Sequence, residues 1–175
     1  MTTRMLVLLI LMSCVSLAIG VNGQTNTAAT TSANTASSNP DAGVERDIQL
    51  MREDVRSKKK QLIAANLKLT DTQATKFWPV YDQYAADLVK INDGKYALIK
   101  EYAEEWGKMS NAQALSLAKR ALDADEQVAQ LRTRYVPIFN QAVDGKTTAT
   151  FFQIERRIQS MIDLQVSSQL PLVQD

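Results

Sequence analysis

The residues best suited to chemistry in this 175-residue chain are carboxylates in two short clusters. Two carboxyl groups can act as general acid and general base when a pocket moves their pKa values apart. Both clusters lie in segments with a helical pattern, where a solvated surface offers no such pocket. The clusters are Glu101, Glu104 and Glu105, and Asp123, Asp125 and Glu126. We therefore predict no catalytic residue and no enzyme activity.

Other chemistries lack their usual residues. The chain has no histidine, the commonest general base and the commonest metal ligand. Its single cysteine, Cys14, cannot form an intramolecular disulfide. The sequence contains no glycine-rich phosphate loop, no nucleophile elbow and no metal-ligand spacing. Its 20 basic and 19 acidic side chains nearly cancel, so no attraction of the whole chain to nucleic acid is expected. We predict no cofactor and no metal.

A basic cluster and a tryptophan are the candidate contacts for a partner. The cluster consists of Arg56, Lys58, Lys59 and Lys60. It could bind an acidic partner, an anionic lipid head group or an unfolded protein. Alternatively, it is a solvated helix face whose aliphatic stems cover apolar surface. Lys58 is the one member of the cluster that falls in line with the apolar residues of its predicted helix. Trp78 lies off the stripe of its own helix, which favours either an exposed binding contact or packing in the core or a dimer.

Residues 1–23 are typical of a secretory signal peptide. Arg4 precedes an apolar run from Met5 to Ile19, and small residues suited to signal peptidase follow. The run is shorter than the roughly 20 residues that span a membrane. The alternatives are an uncleaved membrane anchor and a lipoprotein with a lipidated Cys14. We predict export across the inner membrane to the bacterial periplasm, with membrane contact only through this region or a lipidated Cys14.

The rest of the chain divides into a linker and a helical domain. Residues 24–43 are predicted to be disordered, because 16 of these 20 residues are Thr, Ala, Asn or Ser. From residue 44 to residue 175, apolar residues recur in steps of three and four, as in amphipathic helices and coiled coils. The pattern predicts one all-α domain of four helices, at about 44–66, 71–106, 111–143 and 148–170.

The apolar stripes predict how these helices pack. The first stripe is Val44, Ile48, Met51, Val55, Lys58, Leu62 and Ala65, and the second is Phe77, Tyr81, Tyr84, Leu88, Ile91, Lys95, Leu98 and Tyr102. The third stripe ends at Tyr135, Ile138 and Ala142, and the fourth is Phe151, Ile154, Ile158 and Met161. Gly107 and Gly145 are predicted to end the second and third helices in the left-handed conformation. Pro79 and Pro137 are predicted to kink them. The resulting fold is an elongated antiparallel hairpin or bundle, with an open, cradle-like dimer as one form.

Two of the predicted helices begin with a capping box. Thr70 is followed by Gln73, and Ser110 by Gln113. In this motif the hydroxyl accepts from the third helical amide, and the glutamine reaches back to the cap amide. The sequence therefore predicts helix starts directly after Thr70 and Ser110.

These starts also carry a family signature. Leu69-Thr70-Asp71-Thr72-Gln73 is a Leu-Thr-x-x-Gln motif, and Met109-Ser110-Asn111-Ala112-Gln113 is a degraded copy. With the signal peptide and the helical body, they make residues 45–145 resemble the periplasmic Spy/CpxP family. The resemblance implies a thin, cradle-shaped helical dimer that acts as an ATP-independent holding chaperone or restrains an envelope-stress sensor. This chain departs from the pattern in its neutral charge after signal removal and in its lack of histidine.

We therefore expect an exported, non-enzymatic binding protein. Its partners would be partly unfolded envelope proteins, held without ATP. The alternative is a regulatory or structural module that binds one envelope or sensor protein, with a homodimer as one form of assembly.

Overall fold

The computed structural model describes the backbone of residues 40–173 and the side chains of residues 43–173. It contains four α-helices: α1 (Pro40–Asn66), α2 (Asp71–Glu105), α3 (Asn111–Ala142) and α4 (Gly145–Ser167). No strand occurs within the described range, and the all-α prediction is confirmed. The signal peptide, Cys14 and most of the predicted linker lie outside the described residues.

Helix α1 begins four residues earlier than the sequence predicts, at Pro40. The last residues of the predicted linker are therefore helical. Proline suits the first turn of a helix, because an amide at that position would have no helical acceptor.

The junction between α3 and α4 also differs from the prediction. Gly145 does not end α3 in the left-handed conformation but is the first residue of α4. The Asp144 carboxylate caps α4 by accepting from the amides of Lys146 and Thr147, each at 3.0 Å. An aspartate cap thus starts α4 three residues before the predicted position. Gly107, with φ 79°, does adopt the left-handed conformation after α2, as predicted.

Both predicted capping boxes are confirmed. Thr70 Oγ1 accepts from the Gln73 amide at 3.3 Å, and Gln73 Oε1 accepts from the Thr70 amide at 3.0 Å. Ser110 and Gln113 form the same pair of bonds at 3.3 and 2.9 Å. The two boxes fix where the long helices α2 and α3 begin.

We expect Thr70→Ala to lower the free energy of unfolding by about 1 kcal/mol, because the Gln73 amide loses its acceptor. Urea unfolding followed by circular dichroism would measure this change. Thr72→Ala is the matched control, since Thr72 is exposed and is not a cap. Equal effects of the two substitutions would contradict a stabilising role for the box.

Ion pairs and side-chain hydrogen bonds between helices show the direction of packing. Between α1 and α2 they join Lys60 to Asp82, Arg52 to Asp93 and Glu45 to Lys100. Between α2 and α3 they join Asp87 to Tyr135, Lys95 to Asp125 and Glu101 to Arg120. In both sets the residue number rises along one helix as it falls along the other, so consecutive helices are antiparallel. The most extensive helix contact is between α2 and α3, and α4 packs against both α1 and α3.

An aromatic core lies at one end of this bundle and is shared by all four helices. Ile63, Phe77, Tyr84, Phe139 and Phe151 are completely buried. The rings of Phe139 and Phe151 pack with their centroids 4.4 Å apart. The far end is held by smaller or fewer buried side chains, such as Ala103 of α2 and Ala124 of α3. The strongest apolar stabilisation is therefore concentrated where α1 ends and α4 begins.

The buried stripes match the sequence prediction on α2 but not on α1. Phe77, Tyr81, Tyr84 and Leu88 are all buried, as predicted. On α1, Val55 and Leu62 are 40% and 45% exposed, whereas Lys59 and Ile63 are buried. The first predicted stripe is therefore wrong from Val55 onward, whereas Met51 is half-buried. The two rows lie about a quarter-turn apart, because each residue advances a helix by about 100°.

Two smaller errors also concern which face of a helix is buried. Ile138, predicted to end the buried stripe of α3, is 41% exposed, and the adjacent Phe139 is completely buried. Met161, predicted on the stripe of α4, is 61% exposed.

None of the helices α1–α4 has the length and hydropathy that a transmembrane span requires.

Candidate functional site

A carboxylate at the centre of the bundle joins all four helices. Glu155 of α4 has no exposed surface. Its Oε1 accepts from Lys59 Nζ and from Tyr84 OH, each at 3.0 Å. Its Oε2 accepts from Arg132 Nε at 3.0 Å. We call Lys59, Tyr84, Arg132 and Glu155 the ion cluster. Since each helix contributes one residue, the cluster constrains how the helices are rotated against one another.

The ion cluster holds its carboxyl group ionised. Burial alone would raise the pKa of Glu155, but Lys59 and Arg132 outweigh burial and hold this pKa below its usual value. The pKa of Tyr84 is raised far above its usual value, first by burial and then by the charge of Glu155. A carboxylate and a phenol with these shifts exchange no proton near neutral pH. The cluster therefore suits structure and not acid–base catalysis.

We expect Glu155 to stabilise the fold above about pH 4.5, its unperturbed pKa, and to lose this contribution as pH falls toward its lower folded pKa. In that range the unfolded chain binds the proton more readily, so acid favours unfolding. Urea unfolding of the parent and of Glu155→Gln, measured between about pH 3 and pH 7, would test this. The free energy of unfolding of the variant should change less with pH than that of the parent. Equal changes with pH in both proteins would contradict the prediction.

The predicted basic cluster is divided between the interior and the surface. Lys59 belongs to the ion cluster and is 8% exposed. Lys58, predicted on the apolar stripe, instead faces solvent and pairs with Asp54 at 2.7 Å. Arg56 lies 3.8 Å from the carboxylate of Glu53. The structure therefore does not gather these cations into one basic surface.

Lys60 and Trp78 do lie together. The ammonium of Lys60 pairs with Asp82 and lies 5.5 Å from the centroid of the Trp78 ring. Trp78 is half-buried and meets Phe77 edge-on, with centroids 5.1 Å apart. The tryptophan thus packs partly on the core and partly under a lysine, and a binding role for this pair stays a prediction.

The carboxylate clusters form surface ion pairs. Glu101 pairs with Arg120, Asp123 with Lys119 and Asp125 with Lys95. No group of three acidic or cysteine side chains in residues 43–173 could hold a metal ion. Of the remaining motif residues, Leu69 packs against the core and Met109 is half-buried.

A row of apolar side chains runs along α3 away from the core. Leu115, Leu122, Ala129 and Val136 follow one another at intervals of seven residues, and all four are exposed. The exposed fractions of the two leucines are 73% and 69%, and that of Val136 is 45%. These four residues, which we call the outer stripe, extend over about 30 Å at 1.5 Å per residue.

The outer stripe leads into a groove between α3 and α4, with a volume of about 670 Å³. Its apolar walls are Val136 and Pro137 of α3 and Ala149 and Phe152 of α4. Val136 therefore belongs to both surfaces.

Three polar groups at the α3–α4 groove lack their usual partners. Thr148 is 4% exposed, and its hydroxyl has no hydrogen-bond partner among the described residues. The Thr133 carbonyl has no amide donor four residues on, because that residue is Pro137. Arg156 is exposed and forms no ion pair within the described part of the chain. The groove thus combines apolar walls with an exposed cation and a carbonyl that lacks its helical donor, and the unpartnered hydroxyl of Thr148 is buried behind it.

No protein-family model, curated protein or solved structure matches this chain. The resemblance to the Spy/CpxP family therefore depends on the two cap motifs and stays a prediction. What the chain binds must be argued from its own surfaces.

The sequence did contain signals for the features that we did not predict. Glu155 lies four residues after Phe151 and three before Ile158, at a position where the stripe of α4 requires an apolar residue. A charged residue at such a position indicates a buried ion pair. Pro137 was identified only as a kink, although its missing amide also leaves the Thr133 carbonyl free.

Proposed function

We propose that this chain is an exported, non-enzymatic helical protein that holds partly unfolded envelope proteins without ATP. The outer stripe of α3 is the observation that carries the proposal. Its two leucines are about 70% exposed, and they lie two turns apart on one face of α3, in line with Ala129 and Val136. Such a row can bind apolar segments that an unfolded protein exposes.

The energetics of the stripe suit reversible holding. Burying a leucine side chain contributes about 1.5–3 kcal/mol, and association costs at least about 4 kcal/mol. Two leucines with a few weaker contacts therefore bind clients weakly and release them without an energy source. The four helices share one core, so we place the client surface on the outer face of α3 and not on a concave face.

The test is suppression of aggregation of a chemically unfolded client in the absence of ATP. We expect the parent protein to suppress aggregation and Leu115→Ser/Leu122→Ser to lose most of this effect. Leu50→Ser/Leu164→Ser is the matched control, because it removes two exposed leucines from α1 and α4.

Each outcome of this comparison is informative. No suppression by the parent at severalfold molar excess would overturn the holding function. Equal suppression by all three proteins, or equal loss in both variants, would show that the outer stripe is not the client surface.

The alternative function is a regulatory or structural module that binds one envelope or sensor protein. The α3–α4 groove favours it, because a groove with fixed polar groups selects a partner more narrowly than an apolar row. Recovery of a single partner from cells, with no suppression of aggregation, would support this alternative.

A further inference from the structure

We infer that the α3–α4 groove binds one extended polypeptide segment, with a large apolar side chain between the helices and a carboxylate at Arg156. This inference rests on the proposed function, since it names the kind of polypeptide segment that the protein holds. The size of the groove, the Thr133 carbonyl and the charge of Arg156 support it.

The size and walls suit a short peptide. A volume of about 670 Å³ lies within the range of about 300–1,000 Å³ typical of ligand sites. Val136, Pro137, Ala149 and Phe152 form apolar walls. A phenylalanine or leucine side chain and the backbone beside it can therefore lose water there.

The Thr133 carbonyl lacks its helical donor, so it calls for a ligand that donates a hydrogen bond. A peptide backbone offers an amide hydrogen to this carbonyl, whereas a fatty acid offers no donor. The Thr148 hydroxyl is buried and is not open to the groove, so it plays no part in binding.

The charge selects among peptides. Arg132 also lines the groove, but its guanidinium is bonded to Glu155. Arg156 on the opposite helix has no such partner within residues 43–173. An aspartate or glutamate beside the apolar side chain, or the carboxylate at a chain end, would pair with it.

The outer stripe gives the segment a path into the groove. Val136 ends the stripe and forms part of the groove wall. An extended chain advances about 3.3 Å per residue, so roughly nine residues would cover the 30 Å of the stripe. One unfolded segment could therefore contact both surfaces at once.

Fluorescence anisotropy with the full chain tests this inference. The probe is a fluorescein-labelled seven-residue peptide, capped at both ends, with Phe-Leu-Asp at its centre and Gly and Ser elsewhere. In one control peptide Asn replaces Asp, and in the other Ser replaces both apolar residues. We expect the probe to bind, the Asn peptide to bind about threefold more weakly, and the Ser peptide not to bind.

Protein variants locate the site. Arg156→Gln should weaken binding of the Asp peptide about threefold and leave the Asn peptide unchanged. Arg157→Gln is the matched control and should change neither, because Arg157 does not line the groove. Ala149→Trp should abolish binding of both peptides by filling the groove. Circular dichroism verifies folding, and Arg156→Gln tests the inference even if Ala149→Trp unfolds the chain.

The outcomes separate this inference from the proposed function. If no peptide binds while Leu115→Ser/Leu122→Ser loses suppression of aggregation, the groove inference fails and the holding function stands. If the peptide binds in the groove but the parent suppresses no aggregation, the holding function fails. Binding of decanoate without any peptide binding would assign the groove to a small amphiphile and overturn the inference, as would equal effects of Arg156→Gln and Arg157→Gln.

Discussion

Replacing Glu155 with leucine is expected to lower the free energy of unfolding by about 3–5 kcal/mol. The substitution leaves the buried Lys59 and the half-buried Arg132 without the carboxylate that neutralises them, and Tyr84 OH without its acceptor. A buried charge without a partner destabilises the folded state strongly. An intact buried ion pair, by contrast, adds little stability compared with apolar residues of similar size. Since single domains are stable by about 5–15 kcal/mol, this variant should lie close to unfolding.

Urea unfolding at neutral pH would measure the loss. Glu104→Gln is the control, because Glu104 is an exposed glutamate of α2 without an ion pair in residues 43–173. It should change stability by less than about 0.5 kcal/mol. The triple variant Lys59→Met/Arg132→Met/Glu155→Leu should regain much of the loss, because it removes the stranded cations as well. A mild effect of Glu155→Leu would mean that water or other groups reach the cations.

The rescue also separates stability from specificity. Replacing a buried ion network with apolar residues is often neutral or stabilising. If the triple variant is stable but suppresses aggregation less well, the ion cluster serves to select one rotation of the helices. We predict this selection, because α1 carries a second apolar row a quarter-turn from its buried one. Suppression at the parent level by the triple variant would contradict it.

The features that the sequence predicted well depend on neighbours within a few residues. The capping boxes at Thr70 and Ser110 need only the glutamine three residues on, and both formed. The left-handed Gly107 depends on the end of one helix. Gly145 was predicted wrongly because two local signals compete there, and the Asp144 cap prevails over a glycine stop.

The rotation of α1 could not be predicted from α1 alone. Its sequence supports two faces, one with Val55 and Leu62 and the other with Lys59 and Ile63. The first is the more apolar, yet the second is buried. The buried face carries Lys59, which pairs with Glu155, about a hundred residues away in the sequence. The α3–α4 groove likewise depends on two helices meeting, so neither sequence segment indicates it separately.

The rotation of α3 can be tested in the same way. Phe139→Ala is expected to lower the free energy of unfolding by about 3–5 kcal/mol. Phe139 is completely buried, and its ring lies 4.4 Å from that of Phe151 and 5.2 Å from that of Phe77, centroid to centroid. No small side chain can fill the space between these rings, so the truncation leaves a cavity shared by three helices. Urea unfolding and calorimetry would measure the loss.

Ile138→Ala is the matched control, because Ile138 is the adjacent residue that the apolar pattern of the sequence would bury. Since 41% of it is exposed, its truncation should cost less than about 1 kcal/mol. The two residues lie one and two positions after Pro137, so a disturbance of the helix at the proline would affect both substitutions similarly. A larger loss for Ile138→Ala would mean that α3 turns beyond Pro137 as the sequence pattern predicts. In that case the part of the groove wall beyond Pro137, at Asn140, would turn with it, and the proposed peptide site would lose its geometry.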